Sequence, residues 1–354
     1  MCDADVIVVG AGLWGCTLAR RFAEAGRRVL VYERREAVGG NCRAETDSTT
    51  GIEIHRYGSH IFHTDDPAVW AFVSRFTTLN DYRHRVIASW RGETYPLPVG
   101  LPLLRKFFKR DFTPASAAAF MSEPQNAAAV SDAFFRGYTA KQWGVDPDRV
   151  DPAVLSRVRV RYDDDVSYFT DRWQGIPADG YTEFFRRLLD HPGIEVRLGS
   201  AFGLDAVLAD PARPVCYSGP VDELFGFRFG PLPWRTLRFE TERLAVADFQ
   251  GTSVVNHTEA GVPYTRVHEF KHFHPEWRET MARPETVICR EYPAAWRPGD
   301  EPYYPVNTPA SRELLARYRA EAAKIPNLIL GGRLGAYCYH DMDDTIASAL
   351  SVKI

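Results

Sequence analysis

The sequence predicts an α/β fold in three parts: a parallel-sheet, nucleotide-binding lobe, a helical insert and an antiparallel sheet. Three observations carry that prediction. The chain opens on a β-branched run that passes at once into a glycine-rich turn and an amphipathic helix. A second strand, glycine turn and helix close the chain, with short alternating runs and a helix-rich stretch between them. At 354 residues it is long enough for two or three lobes. A composition of 45% apolar and 25% charged residues excludes a disordered chain, and a net charge of −3 offers no basic field for nucleic acid.

Residues 5–9 form the first strand, and Gly10, Gly12 and Gly15 follow it as a G-x-G-x-x-G turn. Gly10 makes the tight turn, Gly12 lets the backbone approach a pyrophosphate, and Gly15 lets the helix pack on the strand. The helix over 16–25 presents its N-terminal amides to the phosphates, and Leu13 and Trp14 in the turn before it are expected to join them. A second strand over 28–32 ends in Glu33, 18 residues after Gly15, where an acid can bind ribose hydroxyls. Arg34 and the second glycine pair, Gly39 and Gly40 before Asn41, favour FAD over NAD. At the far end, 328–330 is a strand, 331–334 a turn carrying Arg333, and Asp341 and Met342 begin the last helix. Its positive dipole end can stabilise negative charge on a reduced flavin. The lobe is therefore expected to be Rossmann-like, with FAD favoured as its cofactor.

Other signals are quieter. Six cysteines show no C-x-x-C pair, and no secretory leader or membrane-length apolar run is present, so reduced thiols in a cytoplasmic chain are expected. His272 and His274 stand two residues apart with no carboxylate or cysteine in register, so no metal site is expected. Only six of the 43 basic residues are Lys, and aromatics reach 13%, a bias that suits flat, anionic ligands. Phe134, Tyr138, Thr139 and Trp143 are spaced as one helical stripe, which core packing alone could explain. Arg157, Arg159 and Arg161 alternate along one strand face.

Taken together, the blocks at 10–15, 33–41, 55–64, 82–86, 137–143, 168–177, 262–266, 300–307 and 332–339 run in one order along the chain. In that order they resemble the UDP-galactopyranose mutase family, nucleotide-sugar enzymes of the two-dinucleotide-fold type. The resemblance implies a flavin-dependent interconversion of UDP-galactopyranose and UDP-galactofuranose. Reduced flavin N5 attacks the anomeric carbon, UDP leaves and returns, and no net redox occurs; NAD(P)H would serve only as an external reductant. It also implies roles. Arg161 (with Arg159 as the fallback) and Arg266 would grip the pyrophosphate with Tyr304 and Tyr339. Phe134 and Tyr138 would stack on uracil, with Thr139 and Trp143 flanking. His84, Asn256 and Trp173 would complete the substrate shell. His60 and Ile61 would lie against the flavin, and His63 would shape the N5 environment rather than act as a general base.

Several positions depart from the family pattern. The insert keeps only residues 115–133 between its flanking motifs, which implies a smaller lid, a quaternary arrangement other than the family homodimer, or both. Trp173 stands where a phosphate-side Tyr is usual, Ser59 precedes His60 in place of a small apolar residue or proline, His340 follows Tyr339, and the chain stops soon after its last helix. The expected substrate is a nucleotide sugar, most simply UDP-linked, with no nucleic-acid or membrane partner. The same chemistry on another sugar, an FAD-dependent oxidoreductase, and a non-catalytic FAD or nucleotide-sugar binder stay open. The expected domains are an FAD-binding domain from 1–75 with 195–220 and 325–354, a helical insert over 98–150, and a sheet and substrate domain from 76–97, 151–194 and 221–324.

Overall fold

The computed structural model describes residues 4–144 and 160–354. Val6–Val9, the first strand, lies at the centre of a five-stranded parallel sheet. Its neighbours are Val215–Tyr217 and Val29–Tyr32, with Leu328–Leu330 and Ile194–Arg197 at the edges. All four residues of Val6–Val9 are buried, as a strand covered on both faces must be. Alternation divides them: Val6 and Val8 join one apolar core, while Ile7 and Val9 join the other. The first core is covered by the helix Leu13–Glu24, packed on Gly180–Leu189 and Met342–Leu350. The second is covered by Pro309–Ala322, which buries Leu315, Tyr318 and Ala322. A Thr308–Ser311 capping box with Pro309 at the first helical position starts that helix.

The second sheet has seven strands, in the order Tyr304–Pro305, Trp234–Leu244, Thr286–Ala295, Arg266–Glu269, Val254–His257, Val86–Trp90, Glu93–Leu97. It is mixed rather than antiparallel throughout, because Val254–His257 runs parallel to Val86–Trp90. The long chain excursion between those two strands lets them pair side by side in one direction. The helices Leu101–Phe108, Pro114–Met121, Pro124–Ser131 and Gly137–Trp143 form the insert, with a π turn, Asp132–Arg136, before the last of them. Arg157 and Arg159 lie outside the described residues, and Arg161 occupies a loop. Among the described residues, no helix is long and apolar enough to cross a membrane. The five described cysteines are free.

Candidate functional site

A cleft of about 230 Å³ opens at the carboxyl ends of the parallel strands. Its floor is the glycine turn. Gly10 adopts φ +97°, and a Cβ on Gly15 would meet the Gly10 carbonyl oxygen at 1.9 Å, so helix and strand can meet only without a side chain there. Gly12 bridges Gly39, and a Cβ on Gly40 would fall 2.9 Å from the Gly12 Cα. This bare-backbone cradle, the amides at Leu13 and Trp14, and an acid at the next strand end fit a dinucleotide. Glu33 is held in place: its Oε2 accepts the Ala11 amide at 2.7 Å and its Oε1 the Arg35 amide at 2.9 Å. Each oxygen keeps a lone pair for a ribose hydroxyl.

Arg34, Asn41, His60, Arg333, Asp341 and Met342 also line the cleft. Arg34 pairs with Glu223 and Glu301, and Asn41 Oδ1 accepts from Arg35 Nη2 at 3.1 Å. His60 donates Nδ1–H to the Gly58 carbonyl at 2.7 Å, and burial drops its pKa to about 3, so the ring is neutral. Gly15 lies beneath the cleft, and Ile61 packs on the core instead of lining it. Sequence reading missed Arg35, Phe202, Tyr217 and Ser218 on its walls. The Phe202 ring lies 4.9 Å from that of Tyr32 at the second strand's end, a pairing that strand periodicity alone does not reveal.

Arg333 links this cleft to a second cluster. Its guanidinium lies 4.8 Å from the Tyr339 ring, and Tyr339 stacks on Tyr304 at 5.8 Å and 11°. Trp143 lies 6.2 Å from Tyr304. Tyr304, Tyr138, Tyr168 and Glu291 then surround Arg266, which lies 5.8 Å from the Tyr138 ring. Burial alone would weaken the guanidinium's hold on its proton; the Glu291 carboxylate opposes that, and Arg266 stays cationic. Burial pushes the Tyr138 and Tyr304 hydroxyls well above the ordinary phenol range, so both remain proton donors. Asn256, Arg266 and Glu291 sit abreast on three adjacent strands and so share one sheet face. The buried Tyr138 Oη and Asn256 Oδ1 find no hydrogen-bond partner among the described residues. Such groups are costly unless a ligand engages them.

Below this cluster His63 stacks on Phe169 at 3.8 Å, and Phe169 on His84 at 5.5 Å. His63 Nδ1 lies 3.3 Å from Asp171 Oδ1. His84 bonds Tyr82 Oη at 2.8 Å, and burial, helped by Arg266, lowers its pKa to about 3.

Three expected residues make other contacts, though Arg161 also reaches the Tyr168 carbonyl at 3.4 Å. Phe134 is 3% exposed and packs among Tyr95, Phe107 and Trp90, because the π turn interrupts the helical spacing that would align it with Tyr138. Trp173 stacks on Trp70 at 5.6 Å. Arg161 donates to the Ser167 carbonyl at 2.7 Å and lies 3.9 Å from Asp165, so its fork braces its own loop. Thr139 is buried on the helix Gly137–Trp143. His272 and His274 do have carboxylate neighbours: Asp248 and Glu269 for the first, Glu53 and Glu276 for the second. Glu269 and Glu276 are near neighbours in the chain, the fold adds Asp248 and Glu53 from farther away, and the two rings engage separate partners.

The UDP-galactopyranose mutase family profile matches residues 133–339, and an NAD(P)-binding Rossmann-like domain profile matches residues 8–76. A probable UDP-galactopyranose mutase of Klebsiella pneumoniae is 37% identical, covering 99% of this chain and 94% of its own. A dTDP-fucopyranose mutase of Escherichia coli is 36% identical over 98% of this chain and 96% of its own. A solved structure of reduced UDP-galactopyranose mutase shares the fold with a TM-score of 0.73 at 15% identity, covering 99% of this chain and 93% of that one. With the glycine cradle, the Arg266 cluster and the matched length in agreement, the chain belongs to the UDP-galactopyranose mutase family.

Proposed function

We propose that the protein is a flavin-dependent mutase that interconverts the pyranose and furanose forms of a nucleotide sugar, with UDP-galactose as the first substrate to test. One observation carries the reading: a cationic Arg266 ringed by neutral phenols adjoins the dinucleotide cleft through Arg333 and Tyr339. Reduced FAD in the cleft supplies the nucleophile for the anomeric carbon, and NAD(P)H can serve as the external reductant. The chain's own residues handle the leaving group. Cleavage of the glycosidic bond leaves charge on a pyrophosphate, which must be held in place until it returns. Arg266 supplies a forked cationic donor, Tyr304 adds an O–H donor that burial keeps protonated, and Tyr339 adds a second phenol O–H beside it. Tyr138 and Asn256 offer unspent polar atoms to the bound nucleotide sugar. Arg161 would join them if its loop releases the Ser167 carbonyl.

A second sugar nucleotide is favoured by one comparison. The dTDP-fucopyranose mutase matches as much of this chain, at nearly the same identity, as the Klebsiella relative. The test is direct. Dithionite-reduced protein is incubated separately with UDP-galactopyranose and dTDP-fucopyranose, and furanose product is sought by chromatography. Formation from either identifies the substrate. Absence of furanose from both, with FAD bound, overturns the mutase reading; oxygen uptake with sugar-dependent bleaching would replace it with an oxidoreductase.

A further inference from the structure

We propose that Ser59 and His268 are positioning residues that hold Glu291 and thereby leave the Arg266 guanidinium free to take the pyrophosphate. The proposal rests on the mutase reading of the Arg266 site, and it begins with a line of hydrogen bonds. Ser59 Oγ lies 2.5 Å from His268 Nδ1, and His268 Nε2 lies 3.1 Å from Glu291 Oε2. The carboxylate can only accept, so His268 donates from Nε2. Its Nδ1 is then the acceptor for the Ser59 hydroxyl. Burial, with Arg266 close by, lowers the proton affinity of His268 and keeps the ring neutral despite Glu291. One tautomer is therefore held from both ends.

Register explains why these side chains meet. Arg266 and His268 are two apart on one strand and share a face, and Arg266 stands directly opposite Glu291 on the next strand. The loop carrying Ser59 covers them, since a Cβ on Gly58 would come within 3.6 Å of Glu291 Oε2. The following residue, His60, lines the dinucleotide cleft. Ser59 thus ties the cofactor-side loop to the sheet that carries Arg266.

The distances indicate what the line does. Glu291 Oε2 is 3.6 Å from Arg266 Nη1, an ion pair without a hydrogen bond, while His268 and Thr265 take the carboxylate's lone pairs. A carboxylate engaged this way anchors the guanidinium by charge and leaves its N–H donors unspent. Without the His268 donor, Glu291 would turn its fork on Arg266, and a pyrophosphate would have to compete with it.

The test measures binding of UDP and of dTDP to FAD-loaded protein by calorimetry, together with kcat and KM on the active substrate. H268L should weaken nucleotide binding about tenfold and raise KM far more than it lowers kcat. H268Q, which can accept at one end and donate at the other, should stay within about threefold of wild type. S59A should cost about threefold, and S59A/H268L should bind no more weakly than H268L, because Ser59 acts through His268. Binding by H268L within about twofold of wild type, or multiplying effects in the double variant, overturns the proposal. If H268L does not retain FAD, S59A decides, and unchanged nucleotide binding by S59A overturns it. Failure of the wild type to bind either nucleotide would instead remove the mutase reading, and this proposal with it.

Discussion

Glu291→Gln tests the electrostatics of the site by its effect on stability. Glu291 is buried, with a side chain 1% exposed. Burial alone would raise its pKa, but the Arg266 charge and the His268 and Thr265 hydrogen bonds hold it at about 2 against an ordinary 4.5. At ~1.36 kcal/mol per pH unit, that gap makes the ionised form worth about 3 kcal/mol at neutral pH. The sign follows from the folded value lying below the unfolded one: the stability is present above pH 4.5 and is lost as pH falls towards 2. Gln keeps the shape, removes the charge and turns an amide towards the half-buried Arg266 guanidinium. Guanidinium chloride unfolding at fixed FAD concentration, followed by tryptophan fluorescence, should find the variant about 3 kcal/mol less stable at pH 7. At pH 3 the gap should shrink to roughly half, ~1.4 kcal/mol. A gap below about 1 kcal/mol at pH 7, or one that stays constant from pH 7 to 3, would refute the reasoning.

Other substitutions probe the remaining parts. Arg266→Lys keeps the charge but loses the fork, and turnover of the reduced enzyme should fall about 100-fold in kcat/KM; a loss under about fivefold would remove Arg266 from the leaving-group site. Gly15→Ala drives a Cβ against the Gly10 carbonyl, so it should cost roughly 3 kcal/mol and strip FAD, visible as loss of flavin absorbance per protein. Trp173→Phe should lower stability by about 1 kcal/mol through its stack on Trp70 while leaving KM within about threefold; a tenfold rise in KM would restore Trp173 to the phosphate side.

Local chemistry was legible in the sequence, and cross-strand chemistry was not. The glycine turn could be read because its demands are backbone demands, met within the six residues from Gly10 to Gly15. Glu33 could be read because a strand of known rise ends there. The Arg266 cluster is different. Glu291 is 25 residues further along the chain, and only strand register sets it beside Arg266 and, one step down, His268. Alternation along a single run can announce a strand but not its partner. For His272 and His274 only the long-range partners, Asp248 and Glu53, were hidden in this way; Glu269 and Glu276 stand within three residues of them in the sequence. Phe134 leaves the expected stripe for another reason: a π turn adds a residue to the local repeat, and no composition signal marks it.

The surplus of arginine and aromatic residues gains its meaning from this arrangement. A cation buried among apolar groups would be destabilised, and a site lined with several cations would repel itself before a substrate arrived. Around Arg266 the chain uses phenols, whose burial keeps them protonated and neutral while their O–H groups remain available to an anion. One buried carboxylate, Glu291, offsets part of the guanidinium charge without spending its donors. Under the proposed function, such a site would stay folded when empty and still receive a pyrophosphate. A chain with net charge −3 would then bind its anion through a local, directional attraction and not through a global field.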